Sequence, residues 1–483
     1  MAASAQTPVL EKSASHRYAL TLAVLAVATT SYGMLQSLIL PALPTLERSL
    51  GTSPVTGGWI LTAYLTSATV VTPVAGRLGD MYGKKRLLIA VLILLCIGCL
   101  LSALAKSLAL MLVGRVLQGA VGGLFPLSFG IIRDEFPEDK VEGGIGLIAA
   151  IVGLGGGVGI VLSGPIVENL SPQWLFLVPL ALGAAAAVAT WLCIQESPER
   201  SPGRVDYYTT ALLSGWLTAL LLAITNGPTW GWLNWRLFGL LAVAIIGVVL
   251  WVRRELRAEH PLIDIRTLMM RPVWLTNVAS LCLGFGMLSA YILVPDFVQT
   301  PPAAGYGFGS SVTQAGIFLV PANVLMLTIG LGTGAISRRI GAKKMLAIGA
   351  LLSAVAFAGL ALAHGQPLDF YLDAPILGAG IGFSYAAMSN VIVAAVPQSQ
   401  TGAATGVNIN ARTLGSALGS SVVVTILESN LSPGAFPPGG RYVTAFLVCL
   451  IMLLVAFVVV LAIPVPHRQR LRPRVRPGSA MSR

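Results

Sequence analysis

Fourteen stretches of this chain, 17 to 27 residues each, are almost unbrokenly apolar. They lie at about 18–41, 56–78, 87–105, 108–132, 142–167, 172–195, 207–226, 236–252, 273–298, 312–336, 345–363, 369–395, 402–427 and 441–464. A hydrocarbon core of about 30 Å is crossed by a helix of roughly 20 such residues. A closed barrel also satisfies its backbone in lipid, but its strands are about ten residues long and alternate in polarity. The runs do neither, so an all-α polytopic membrane protein with 14 transmembrane helices is expected. Only 10% of the residues are charged, where a soluble domain has about a quarter, and mean hydropathy is +0.81.

The first run is followed by ALPTLERSLG rather than a small-residue cleavage pattern, so it is read as a retained span. The five cysteines, including Cys96 and Cys99 in a CxxC, lie in or beside apolar runs with no histidine near, and read as packing residues. No metal site and no cofactor are expected. With residue 1 inside and fourteen crossings, both tails are cytoplasmic. Outward loops then carry Arg48, Lys106, Arg236 and Arg441, while Arg115 and Arg412 lie within helices. Most of the 31 basic residues fall on the inside, as the positive-inside rule requires. The net charge of +12 is therefore read as inward loops and an arginine-rich tail near anionic lipid, not as a nucleic-acid surface, and a plasma membrane is the simplest placement.

One motif occurs twice. GRLGDMYGKKR at 76–86 aligns with GAISRRIGAKK at 334–344, an offset of 258 residues. Gly146, Gly155, Gly159 and Pro137 fall opposite Gly406, Gly415, Gly419 and Pro397, an offset of 260. Two six-helix halves, 18–195 and 273–464, are expected to repeat one unit with two helices, 207–256, inserted between them. The remaining segments read as a tail (1–17), cytoplasmic linkers (196–206 and 257–272) and a basic tail (465–483). Repeats of this kind put a pathway at their interface, and rocking one half on the other gives alternating access.

These motifs, with LMLVGRVLQGAVGG at 110–123, ALPTLERSLG at 42–51 and WILTAY at 59–64, resemble the major facilitator superfamily, specifically its fourteen-helix drug:proton antiporter branch. The resemblance covers nearly the whole chain. It implies the major facilitator fold, 6 + 2 + 6 helices, no enzymatic activity, multidrug efflux and antibiotic resistance. In the loop motif, Gly76 and Gly83 read as points where the chain reverses. Asp80 is expected to pair with Arg86 or Arg77, or to face a helix N-terminus in the other half, as an inner latch. Lys84 and Arg86 hold that loop inside. The second copy has Arg338 at the position of Asp80, so the latch is asymmetric.

Gly146, Gly155, Gly159 and Gly164 read as close helix packing, with Ile160 where the branch expects a proline. Leu35 stands where the branch usually has an acid in helix one. The expected coupling groups are therefore Arg115, Asp296 and Asp373, with Glu168 also near an outer helix end. Cavity candidates are Tyr32, Gln36, Tyr64, Gln118, Phe125, Asn277, Asn323, Tyr385, Asn390 and Arg412. The expected partners are a small molecule, protons and lipid, with no obligate protein partner. The reading is export of amphiphilic, hydrophobic or cationic compounds by proton antiport. The alternative is a facilitator or dedicated metabolite exporter with little or no coupling, which the missing helix-one acid favours. No GxxxxGK[ST], HExxH or GxSxG is present to suggest ATP use or catalysis.

Overall fold

The computed structural model describes residues 7–52, 54–197, 206–259, 261–429, 431 and 435–464. The basic tail and most of the first linker lie outside them, as does the side chain of Glu168. No strand occurs among the described residues. The long helices are Thr7–Ser37 (α1), Trp59–Tyr82 (α2), Lys84–Ala103 (α3), Leu108–Glu135 (α4), Glu138–Asn169 (α5), Trp174–Cys193 (α6) and Tyr207–Trp230 (α7). They continue with Trp235–Glu255 (α8), Arg271–Gln299 (α9), Val312–Ile340 (α10), Ala342–Leu362 (α11), Pro367–Ala395 (α12), Thr401–Glu428 (α13) and Gly439–Leu461 (α14). Thirteen contain a stretch apolar enough to cross a membrane. The exception is α13, whose glycines, serines, Asn408, Asn410 and Arg412 lower its hydropathy; it is packed among other helices.

The first apolar run is not one continuous helix. It breaks at Leu38 and resumes as Ile39–Leu50, which ends on Gly51 in the left-handed conformation (φ 62°). Within α4, Gly119–Gly123 forms a 3-10 turn against α2. A Cβ on Gly119 would meet Ser67 at 2.4 Å, and one on Gly122 would meet the Ala68 carbonyl at 2.4 Å. Glycine is what lets these two backbones touch.

Helix contacts follow one pattern twice. In the first set α1 packs on α5 and α6, α3 on α4 and α6, and α2 on α4. In the second, α9 packs on α13 and α14, α11 on α12 and α14, and α10 on α12. The sets meet along two seams, α5 with α10 and α13 with α2. The glycine repeat explains the register. Cβ atoms on Gly155 and Gly159 would strike α1, and those on Gly415 and Gly419 would strike α9. The first glycine of each ladder faces across a seam instead, Gly146 on Thr333 and Gly406 on Pro73.

Of the inserted pair, α7 packs on both α2 and α13, with Leu221, Ile224 and Ala417 in one apolar cluster. Helix α8 packs mainly on α7 and leaves most of its surface exposed.

Candidate functional site

The two seams differ along their length. The α5–α10 seam is closed from the end bearing Gly143 and Gly334, past Gly157 against Asn323, to Gly164 against Thr313. The α2–α13 seam is tight only near the basic end, the end that carries Lys84, Lys85 and Arg86. There Gly76 meets Gly402, Gly406 meets Pro73, and Asn410 Nδ2 donates to the Thr69 carbonyl at 2.8 Å. Toward the far end α2 and α13 part, and α7 covers the gap. The Trp232 indole N–H, just beyond α7, donates to Thr425 Oγ1 of α13 at 2.8 Å.

A cavity fills the space left by this parting. Its outer chamber, about 380 Å³, is walled by Gln36, Trp59, Tyr64, Arg115, Asn226 and Trp230 among others. Its inner chamber, about 110 Å³, reaches Tyr32, Phe125, Tyr385 and Arg412. Gln36, Tyr64, Leu65, Thr225, Leu288 and Ser420 border both chambers. A drug-sized ligand needs a space of about 300–1,000 Å³, mostly apolar with a few polar groups.

Each arginine is held by a tyrosine ring. The Arg115 guanidinium lies 4.4 Å from the Tyr64 ring centre, and that of Arg412 lies 4.1 Å from the Tyr385 ring centre. Arg115 Nε donates to the Ile60 carbonyl at 2.8 Å and Nη1 to Gln118 Oε1 at 2.7 Å. Gln118 passes the chain on, donating to the Gly98 carbonyl at 3.0 Å and to Ser102 Oγ at 2.9 Å. Tyr32 meets Phe125 edge-on, ring centres 5.0 Å apart.

Seven of the residues expected around a pathway, Arg115 included, thus border one cavity. Four others do not. Gln118 is fully buried behind Arg115. Asn277 accepts from Asn408 between α9 and α13, Asn323 accepts from Tyr291, and Asn390 donates to the Glu142 carbonyl across the halves. Each amide has at least one protein partner, although Asn390 Oδ1 is left without one among the described residues. The wall residues of α7, Thr225, Asn226, Thr229 and Trp230, were not anticipated. Their signal in the sequence is weak: TNGPTW closes an otherwise apolar run.

At the basic end the motif around Asp80 takes a form that corrects two expectations. Gly76 is not at a chain reversal but inside α2, where its missing side chain admits the backbone of α13. The reversal is at Gly83, φ 112°, where a Cβ would strike the Glu196 carboxylate. Arg86 is not the partner of Asp80. It sits on the first turn of α3, exposed, 3.6 Å from Glu196. Glu196 accepts from the backbone N–H groups of Lys85 and Arg86, at the positive end of α3. Asp80 instead has Lys84, one turn on. Lys84 Nζ stands 3.5 Å from Asp80 Oδ1 and 2.6 Å from Asp134 Oδ2, with all three side chains buried. On its other side Asp80 Oδ2 faces Gly402 in the first turn of α13.

Neighbouring groups bridge the same end. Arg133 donates to the Val396 carbonyl at 3.1 Å, to that of Pro397 and to Thr401 Oγ1, and Gln398 donates to Asp134 at 3.2 Å. At the other seam Arg338 Nη1 donates to the Asp139 carbonyl at 3.1 Å. The charged run RDE at 133–135 was the available signal for Arg133 and Asp134.

The expected coupling residues are not assembled together. Asp296 is exposed and accepts from the Tyr442 hydroxyl at 2.6 Å. Asp373 is half-buried against Gly359, between α12 and α11. Neither borders the cavity that Arg115 borders. No cluster of metal-binding side chains occurs among the described residues.

Comparisons with known proteins agree on one family. The model of the Major Facilitator Superfamily matches residues 25–420. The Tetracenomycin C resistance and export protein of Streptomyces glaucescens is 27% identical over 419 residues, 85% of this chain and 76% of that protein. An uncharacterized MFS-type transporter, Rv1877, of Mycobacterium tuberculosis (strain ATCC 25618 / H37Rv) is 30% identical over 435 residues, 87% of this chain but 61% of the relative's own length. The multidrug transporter protein MdtP of Bacillus subtilis (strain 168) is 25% identical over 375 residues, 77% of this chain and 68% of that protein. The crystal structure of the human organic anion transporter MFSD10 (TETRAN) superimposes with a TM-score of 0.66 at 16% identity, covering 92% of this chain and 99% of that one. At that identity the likeness concerns the fold.

Proposed function

The chain belongs to the Major Facilitator Superfamily, and from that membership together with its cavity we propose a secondary active exporter of amphiphilic small molecules. A multi-pass membrane transporter, and not an enzyme, is the premise; export is the reading that the names of its relatives favour. The observation that carries it is the α2–α13 seam. It is closed at the basic end by Gly76, Gly402 and Arg133, and open at the far end onto a cavity of drug size.

In this reading the protein lies in the plasma membrane with its basic end and both tails (1–17 and 465–483) cytoplasmic, so the cavity faces outward. The halves 18–195 and 273–464 rock about the α5–α10 seam. The pair 207–256 rides between them, tethered by the linkers 196–206 and 257–272. Opening inward requires Gly76 to leave Gly402 and Arg133 to release the carbonyls of Val396 and Pro397. Lipid is the surroundings and protons the driving ion, taken up on Asp373 or Asp296 at the outer end.

One observation favours the uncoupled alternative: no aspartate or glutamate borders either chamber among the described residues. Substrate and proton would then meet only through helix movement. The deciding experiment loads inside-out vesicles with a proton gradient and follows labelled substrate and lumenal pH together. Substrate-induced alkalinisation, lost in Asp373→Asn or Asp296→Asn, supports antiport. Substrate movement that persists after the gradient is collapsed, with no pH response, supports the facilitator.

A further inference from the structure

Among the described residues, the charged side chains that border the cavity are Arg115 and Arg412, and both are cations. The carboxylates that could neutralise them lie outside its lining: Asp80 is paired with Lys84, Asp296 accepts from Tyr442, Asp373 sits against Gly359, and Glu47 packs on Gly57 behind the wall. The sequence by itself allows cationic substrates. The distribution of charge around the cavity argues against them.

Resting on the exporter reading above, we propose that the transported amphiphiles carry an anionic group, a carboxylate or an ionised phenol. That group is bound beside Arg412 in the inner chamber, with Arg115 adding its positive charge from within the wall of the outer one. Arg115 is wholly buried, yet its Nη2 has no hydrogen-bond acceptor among the described residues. Its charge is therefore not fully satisfied within the protein, and it lies in the wall behind the Tyr64 ring. Carboxylates match a guanidinium in geometry and in charge. Arg412 offers a second cation, half-buried on the Tyr385 ring, with no carboxylate paired to it among the described residues.

Away from bulk water such charges are weakly screened, and a third cation between them is repelled. The rest of the wall suits the body of the molecule. The rings of Tyr32, Tyr64, Phe125 and Trp230 accept a flat apolar or aromatic core, and Gln36 supplies a neutral polar contact.

The test uses two xanthene dyes of similar size and opposite charge, carboxyfluorescein and rhodamine 6G. Binding to the purified full chain is read by fluorescence anisotropy, and movement by exchange across proteoliposomes. The wild type binds the anionic dye at least tenfold more tightly. Arg412→Gln weakens that binding about tenfold, and Arg412→Lys restores most of it. Arg412 is chosen because, unlike Arg115, it is only half-buried and its loss leaves no broken network. Tighter binding of the cationic dye, binding of neither, or an Arg412→Gln variant with unchanged anion affinity each overturns the inference. An anion that binds through Arg412 but is not moved sustains the anion site and overturns the exporter reading instead.

Discussion

Gly76 and Gly402 meet backbone to backbone across the α2–α13 seam: a Cβ on Gly76 would stand 2.4 Å from the Gly402 carbonyl oxygen. No side chain fits there, on either helix, while the seam is closed. Across the other seam Gly334, the counterpart of Gly76, is also close to a glycine, at 3.0 Å from a Cβ on Gly334 to the Gly143 Cα.

That contact predicts a sign that helix propensity alone would reverse. Alanine in place of a helical glycine ordinarily stabilises by about 1 kcal/mol. Gly76→Ala and Gly402→Ala are expected instead to lower transport at least tenfold, because the basic end can no longer close. Gly156→Ala, where nothing lies within 4 Å of the added carbon, should transport normally. Transport rates normalised to the protein in the membrane decide it.

Lys84 and Arg86 are neighbours in one motif with opposite expected outcomes. Lys84→Ala leaves Asp80 and Asp134 facing each other, buried, without their shared cation. The loss of one partner from a buried ion pair costs about 3–5 kcal/mol. Arg86→Ala breaks an exposed pair with Glu196 and should cost about 0–1 kcal/mol. Thermal unfolding in detergent should show a large fall in Tm for the first and almost none for the second. Equal falls would contradict the burial of the Lys84 cluster.

The wall that α7 contributes predicts a role in selection rather than in turnover. Trp230→Ala and Thr229→Val should raise KM severalfold while leaving kcat within about twofold, the pattern of lost ground-state binding. The size of the effect should differ from one substrate to another. A fall in kcat at unchanged KM would instead make α7 a part of the moving machinery.

Asp206 caps the start of α7, just outside the span. Its carboxylate is held below the usual aspartate range, chiefly by the Thr209 hydroxyl, with Arg254 and the N–H groups of Thr209 and Tyr208 adding to it. A depressed folded pKa gives stability that is present in full above about pH 4 and is lost as pH falls through the folded value. Asp206→Ala should therefore cost about 1 kcal/mol at neutral pH, as the loss of an N-cap does. The gap between variant and wild type should close only on strong acidification. A gap that widened in acid would refute the sign. Tm measured as a function of pH reads it directly.

Much of the fold was legible in the residues because lipid leaves the backbone few choices. Long apolar runs become helices, and the recurrence of Gly146, Gly155 and Gly159 at Gly406, Gly415 and Gly419 marks two similar units. Local geometry was legible in part, as at Gly83, which turns the chain at a positive φ. What a sequence does not carry is direction around a helix relative to its neighbours. That Gly155 faces α1 while Gly146 faces α10, that Arg86 turns to Glu196 and Lys84 to Asp80, and that Asn277, Asn323 and Asn390 spend their amides on other helices were decided by packing. The charge of the cavity belongs to the same class. Arginines and aspartates were visible in the chain, but only the tertiary structure brought Arg115 and Arg412 to the cavity wall and left the described carboxylates out of its lining, because burial and pairing are properties of neighbours.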